Sequence, residues 1–342
     1  MFPRFPFVTR GAVWMNLYGG QFARFDKSSL SQPASAFGPT IPSGFILGVL
    51  GVDGREVYAG VWNAFSGYGY IVAVDLETPG PSWRLIRQQQ WVPQVGFTAA
   101  LGRDQMIYLL DRSTGVLEEV DCFTGATRSS RSLSIPFLSR IRGFRYDPWS
   151  DRLLLSDGTN SRETRLVWSD MSAASPAWSL AYVSPWVYTN WFPYDSHGQI
   201  EFTNEMPFES FGKGCVNGLG KEPRLGWRGM PLQGQTFTLR LRDAEPGTLA
   251  IVWLGWSDTS WGMVGSLPFD AAPYGAPGCS LLVAPDGALP FVTDAAGCVD
   301  YTVTVPQHPV INGLQVFAQS VSVSTANAFG FGTSDAVAIR MR

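Results

Sequence analysis

A unit of about 48 residues recurs through the first two hundred residues of this chain, and a steady period of that size with strand-like content signals radial or stacked β-modules. Each copy reads as a hydrophobic strand, a turn, a second strand and a short acidic tag. The tags are Phe25-Asp26, Val74-Asp75, Val120-Asp121 and, more loosely, Ser169-Asp170. A single unit of this kind cannot bury its apolar faces alone, so neighbours must stack on one another. The repeat therefore predicts the architecture before any motif is weighed, and it leaves the ligand open.

One copy runs from Arg55 to Trp62, loops through Gly67 and Gly69, and continues from Tyr70 to Asp75. The next pairs Gln105–Leu110 with Val116–Asp121 across a Ser-Thr-Gly turn. A third pairs Arg152–Ser156 with Thr164–Trp168 and places its turn at Asp157-Gly158. The first copy begins inside its unit, at Ala12–Asn16 and Gln21–Asp26. Short strands separated by Gly, Asp and Ser turns are hairpin signals. Units of this length resemble β-propeller blades of the Kelch or WD40 length class in architecture only, because neither signature is present. Four units plus a degenerate fifth, Val183 to Asn204, predict a β-propeller-like domain of about five blades over residues 11–205. A stacked open array completed by a neighbouring subunit is the alternative.

Composition agrees with an all-β chain. Charged residues are 15%, aromatics 13%, and Gly (37) and Pro (24) are abundant, which suits many turns around a large apolar core and argues against disorder. The net charge of −3 lacks the basic footprint of a nucleic-acid binder. Arginine far outnumbers lysine, by planar anion recognition or by genomic base composition. The run Arg128, Arg131, Arg140, Arg142 and Arg145 reads either as a basic stripe or as solvated strand faces. No stretch reaches the ~18 apolar residues of a membrane helix, so no membrane insertion is expected. Met1–Phe7 has prolines and no continuous apolar core, unlike a secretory signal. It reads instead as an apolar arm, residues 1–10, whose Phe2, Phe5 and Phe7 tuck along their own propeller or augment a neighbour's sheet edge.

Between residues 206 and 230 the pattern breaks, and Phe208 to Arg224 has the Gly-rich, polar composition of an exposed linker leading into a first strand. From 231 to 342 the chain alternates again, at Thr236–Arg242, Thr248–Leu254, Ser280–Val283, Tyr301–Val305, Leu314–Val323 and Ala336–Arg340. Strands at this density with turns between them predict a C-terminal β-sandwich. No segment offers an amphipathic helix.

Several motifs of the second region occur in a distinctive order: Phe211-Gly-Lys-Gly-Cys215, Leu254 to Gly262, Leu267-Pro-Phe-Asp270 and Tyr274 to Val283. They continue with Pro290 through Asp294 to Gly297, Val305 to Leu314, Phe317-Ala-Gln319 and Ala326-Asn-Ala-Phe-Gly330. In this the region resembles a β-sandwich module found at the C-terminus of many secreted proteins of environmental bacteria. The resemblance implies an extracellular or cell-surface location and a structural or accessory role, and it supplies no catalytic residue. It also implies a disulfide between Cys215 and Cys279. Cys298 departs from the module's pattern and Cys122 lies in the repeats; they read as a second bridge or as two buried free thiols.

Catalytic signals are sparse. The two histidines, His197 and His308, fall one in each region, and His308 stands in a Pro-Gln-His-Pro turn. No Cys-x-x-Cys, His-Glu-x-x-His or phosphate loop is present, and Asp157-Gly-Thr-Asn160 lacks the run of oxygen ligands that calcium needs. No cofactor and no metal are expected. A propeller glycosidase would draw on Asp53, Asp104, Asp147 or Asp111. Three of these hold equivalent turn positions in successive repeats, as a structural role predicts. The aromatic run Trp186, Tyr188, Trp191, Phe192 and Tyr194 reads as a sugar-stacking or protein-contact surface, or as core filling. The expectation is a non-enzymatic extracellular protein that self-assembles into a homo-oligomer or polymer or adheres, with a monomeric glycan- or protein-binding module as the alternative and a glycan-active enzyme third.

Overall fold

The computed structural model describes residues 6–8, 12–16, 22–26, 35–37, 45–53, 56–63, 68–76, 83–90, 97–135, 137–138, 141–160, 163–171, 178–184, 207–262 and 265–342. The chain divides into two units, Met1–Glu205 and Met206–Arg342. Both are all-β.

Among the described residues the first unit holds four antiparallel sheets, each a meander of four strands in chain order. The first comprises β1 (Pro6–Val8), β2 (Ala12–Asn16), β3 (Phe22–Asp26) and β4 (Ser35–Phe37). The second comprises β5 (Phe45–Asp53), β6 (Glu56–Asn63), β7 (Tyr68–Asp75) and β8 (Trp83–Gln90). The third comprises β9 (Phe97–Leu101), β10 (Met106–Asp111), β11 (Val116–Asp121) and β12 (Thr127–Ser132). The fourth comprises β13 (Ile141–Asp147), β14 (Arg152–Asn160), β15 (Glu163–Asp170) and β16 (Ser179–Ser184). The acidic tags end the third strand of every sheet and lie opposite the start of the second: Asp26 with Ala12, Asp75 with Glu56, Asp121 with Met106, Asp170 with Arg152.

Stacking follows from alternation. On β10, Ile107 and Leu109 face the second sheet and pack with Leu50, Tyr58, Ile71 and Ile86. Tyr108 and Leu110, on the other face, pack with Phe144, Tyr146, Leu153 and Leu155 of the fourth sheet. A strand buried on both faces reads as a continuous apolar run, and each such Leu or Ile contributes roughly 1.5–3 kcal/mol. The first strands crowd: a Cβ on Gly51 of β5 would lie 2.3 Å from Leu101 Cβ of β9. At Gly125 the need for glycine is twofold, because φ is +71° and a Cβ would meet the Ile86 carbonyl oxygen at 2.0 Å.

Two sequence expectations change here. The arm is in part a strand: Pro6, Phe7 and Val8 pair with Met15, Trp14 and Val13 of β2 in the same chain. The Asp157-Gly158 turn is not a turn. β14 runs on to Asn160, which pairs with Glu163, and the register shifts between Asp157 and Asn160, as glycine inside a strand often permits. Phe2, Phe5 and most of the degenerate fifth unit, from Pro185 on, lie outside the described residues.

The second unit is a sandwich. A five-stranded sheet has the order β17 (Phe208–Phe211), β28 (Phe331–Arg340), β27 (Gln315–Val323), β20 (Leu249–Gly255), β25 (Gly287–Val292). A three-stranded sheet has the order β18 (Arg224–Gly229), β19 (Thr236–Arg242), β26 (Val299–Thr304). Two short hairpins, β21 (Ser260–Trp261) with β22 (Gly265–Ser266) and β23 (Phe269–Asp270) with β24 (Ser280–Leu281), complete it. Between the sheets lie Leu225, Trp227, Phe237, Leu239 and Leu241 against Ala250, Val252, Ala318, Val337 and Ile339.

Residues 206–230 are not an exposed linker. Phe208 is buried, stacks on Trp227 with ring centroids 5.0 Å apart, and β17 pairs with β28. The polar residues that suggested a linker are bound: Asn217 Nδ2 donates to the Asp243 carbonyl (2.7 Å), and Gly214 N–H donates to Glu222 Oε1 (3.1 Å).

Candidate functional site

A cluster of buried polar groups lies between the second and third sheets of the first unit. Tyr58 Oη donates to Glu56 Oε2 (3.0 Å) and lies 3.6 Å from Cys122 Sγ. Arg84, from β8, binds Glu56 Oε2 at 3.0 Å, reaches the carbonyls of Cys122 and Phe123, and lies 5.4 Å from the Phe123 ring centroid. Gln105 Nε2 donates to Asp53 Oδ2 at 3.2 Å. Burial, then the nearby charges of Glu56 and Asp53, pushes the Cys122 thiol well above its ordinary range. Such a thiol is a poor nucleophile.

The repeat explains why a cysteine stands there. Leu76, Cys122 and Met171 each follow an acidic tag, and all three are buried. Cys122 N–H donates to the Gln105 carbonyl and Met171 N–H to the Asp151 carbonyl, so the slot also ties the tag to the preceding turn. The arginine recurs as well. Arg84 of the second sheet binds the Cys122 carbonyl of the third, and Arg131 of the third binds the Met171 carbonyl of the fourth (3.1 Å). This cluster is a repeated tie between sheets. Cys122 and Cys298 are both free thiols, which corrects the second-bridge reading: Cys122 fills an interior slot of the repeat.

Of the carboxylates considered for glycan chemistry, Asp147 and Asp111 hold turns, and Asp53 is the buried acceptor from Gln105. Asp147 accepts from Trp149 N–H and Ser150 Oγ. Asp111 accepts from Ser113 N–H (2.7 Å), Ser113 Oγ (2.6 Å) and Thr114 Oγ1 (2.8 Å). Burial raises the Asp111 carboxyl, but these hydrogen bonds outweigh it and hold the group below its ordinary range. Asp104 and Asp111 flank opposite ends of β10. Arg128 is exposed, Arg131 is committed to Met171, and Arg145 donates to the Phe144 carbonyl, so those members of the basic run form no shared site. Arg140 and the Arg142 side chain lie outside the described residues, as do Trp186, Tyr188, Trp191, Phe192, Tyr194 and His197. His308 is exposed, and its Nδ1 accepts from Val310 N–H.

In the sandwich, Cys215 and Cys279 form the disulfide that the module resemblance implies. Two buried side chains pin its loops. Gln319 donates to the Ser280 carbonyl (3.0 Å) and the Ser334 carbonyl (2.8 Å) and accepts from Leu282 N–H (2.8 Å). Glu245 Oε1 accepts from Thr325 N–H (2.7 Å), Gly218 N–H (2.9 Å) and Ser324 Oγ (3.0 Å). Burial raises the Glu245 carboxyl, yet those bonds from Thr325, Gly218 and Ser324 lower it further, and the net shift is downward.

Several large apolar side chains of the sandwich are exposed. Trp256 (64%), Tyr274 (59%), Val292 (65%), Val310 (69%) and Phe329 (50%) are exposed. Trp261, Phe269 and Tyr274 form a chain of ring contacts, with centroids 6.2 Å and 5.6 Å apart. A Cβ on Gly275 would lie 3.6 Å from Phe329 N, which brings the turn that carries Phe329 beside Tyr274. These aromatics were not singled out from sequence, although their density between Leu254 and Tyr274 is the signal that marks them.

No protein-family model matches the sequence, and no curated protein matches it. Among solved structures, a chain of a nidogen/laminin complex is similar at 19% identity and TM-score 0.37, over 54% of this chain and 63% of that one. The WD40 domain of SCAP from fission yeast is similar at 11% identity and TM-score 0.32, over 98% of this chain and 74% of that one. Prolyl oligopeptidase B from Galerina marginata is similar at 9% identity and TM-score 0.35, over 70% of this chain and 31% of the peptidase. Likenesses at this level carry no statement about activity or partners.

Proposed function

We propose that this chain is a non-enzymatic structural protein of the cell exterior that works by contact, associating with further copies of itself. The observation that carries the reading is the aromatic cluster of Trp261, Phe269 and Tyr274, in which Tyr274 is 59% exposed and beside which Phe329 is 50% exposed. Apolar exposure of this kind marks interaction surfaces. The disulfide supports a location outside the reducing cytoplasm. Among the described residues no helix is long and apolar enough to cross a membrane. The ionisable groups buried in the first unit support the same reading, because Glu56, Arg84 and Asp53 are spent on ties between sheets.

The test is sedimentation velocity of the purified, non-reduced chain across a concentration series, with electron microscopy of the same samples. Association that grows with concentration is expected; a species that stays at the 37.4 kDa monomer throughout sinks the reading. A second reading, sugar stacking, draws on the exposed aromatic side chains Trp256 and Tyr274. It is favoured instead if a glycan titration changes tryptophan fluorescence and Trp256→Ala abolishes the change.

A further inference from the structure

A sandwich has four sheet edges, and each offers unpaired backbone groups that another strand can join unless something blunts them. Three of the four edges here are blunted. β17 is only four residues long. On β18, Leu225 N–H is taken by Asp335 Oδ1 at 2.7 Å, from the opposite sheet. On β25, Thr293 N–H just beyond the strand bonds the Thr248 carbonyl. The odd-numbered residues therefore face β20 and Pro290 faces the free side, where it has no N–H to give.

The fourth edge, β26, carries none of these devices. Its sequence, Val-Asp-Tyr-Thr-Val-Thr, has high strand propensity and contains no proline, lysine or glycine. Val305 N–H, immediately after it, bonds the Gln235 carbonyl. By alternation, Val299, Tyr301 and Val303 bond β19, and the N–H and C=O groups of Asp300, Thr302 and Thr304 point to the open side. Among the described residues β26 ends its sheet. The row that faces the core, Val299, Tyr301 and Val303, is only half-buried, and Tyr301 lies against Phe291 of β25 with ring centroids 4.8 Å apart. These side chains pack against the sandwich core and stay partly exposed along this side.

We propose that β26 is the contact between subunits: a second copy of this chain adds its own β26 antiparallel, about a twofold axis through Thr302. The inference rests on the self-association reading and names the surface it uses. The strand fits itself. With Thr302 opposite Thr302, the outward-bonding residues of both copies meet in register, Asp300 faces the second copy's Thr304, and Tyr301 faces its Val303. No like charges are opposed. The single charge, Asp300, is already held by Arg240 Nε at 2.8 Å on the outer face. The two three-stranded sheets become one continuous sheet, and the half-exposed Val299, Tyr301 and Val303 rows close over each other. A twofold interface of this kind is isologous and closes at a dimer, so the apolar surface around Tyr274 is left for further contacts.

The test uses the full chain. Thr302→Pro removes an outward N–H without touching the ladder to β19, so the fold is expected to survive, as circular dichroism will report. Two symmetric hydrogen bonds at the axis are lost, and the dimer is expected to weaken by at least about tenfold in sedimentation equilibrium. In a Cys298→Ser background, Thr302→Cys is expected to form a disulfide-linked dimer on mild oxidation, since directly opposed residues lie ~5.5 Å apart between Cα atoms. Asp300→Cys, on the same face of the same strand, is expected not to cross-link, because the two copies of that position are four residues out of register. Wild-type chain that associates while the T302P variant associates equally, or equal cross-linking of T302C and D300C, overturns the β26 assignment and leaves the self-association reading standing. A wild-type chain that stays monomeric overturns both.

Discussion

Glu245→Gln is the sharpest probe of what holds the sandwich together. The carboxylate is buried, and its Oε1 accepts three hydrogen bonds of 3.0 Å or less, two of them from backbone N–H groups at Thr325 and Gly218. Those two donors belong to loops far apart in sequence, so the side chain acts as a pin. Glutamine keeps an oxygen of the same shape but loses the charge. Hydrogen bonds to charged groups contribute roughly 1.5–3 kcal/mol and neutral ones about 1. Two backbone bonds weakened in this way amount to a loss of about 2 kcal/mol, or roughly 8 °C in melting temperature for a domain of this size. The pH dependence adds a second readout. The folded carboxyl is held below its ordinary value, so its contribution is complete above the unfolded pKa of about 4.3 and is lost as pH falls through the folded value. The E245Q side chain has no proton to exchange in this range. Calorimetry of the non-reduced full chain, with the sandwich transition assigned as the one that moves on disulfide reduction, should show the gap at pH 7 closing below pH 4. Identical melting at pH 7, or a gap of constant size from pH 7 to pH 3, would refute the charged-pin account.

Removing the disulfide by a Cys215→Ser, Cys279→Ser double change opens a loop set by a separation of 64 residues, and chain entropy predicts a loss of about 4 kcal/mol, read as the shift of the same calorimetric transition. Thiol titration of the native chain should report Cys298 promptly and Cys122 only after denaturant is added, because Cys122 is fully buried with a raised pKa; two equally fast thiols would contradict the packing between the second and third sheets. Gly125→Ala places a Cβ 2.0 Å from the Ile86 carbonyl oxygen in a left-handed backbone. It should speed limited proteolysis of the first unit while leaving the sandwich transition unchanged.

What could be read from the sequence was whatever repeats or alternates locally. The acidic tags located the third strands because each unit must end that strand at the same place to stack on the next. Thr236–Arg242 alternates cleanly, and Phe237, Leu239 and Leu241 are indeed the buried face. Elements whose strand character comes from distant partners were opaque. Phe208–Phe211 is too short to show a period and exists because it pairs with Ala336–Ile339 near the other end of the unit. Gly287–Val292 carries a glycine and a proline, both poor strand residues, yet it is a strand because an edge position tolerates a proline whose nitrogen faces away from its neighbour. Asp157-Gly158 looked like a turn for the opposite reason: local chemistry suited one, and the ladder to β15 prevailed.

Cys122 joins the two scales. Taken alone, a cysteine in a chain with an exterior disulfide invites pairing. Taken in register with Leu76 and Met171, it is one of three buried apolar residues that each follow a tag. Arg84 and Arg131 repeat the same logic from the neighbouring strand, each holding the carbonyl of that residue in the next sheet. A group that recurs in register serves the lattice of the fold, and chemistry peculiar to one site has to be sought where the register breaks. In this molecule the β26 edge and the aromatic cluster of the sandwich lie outside the repeats, and both are proposed as contact surfaces. That is why the physical reading leads to assembly, and why the T302P and T302C chains test more of it than any change inside the repeats.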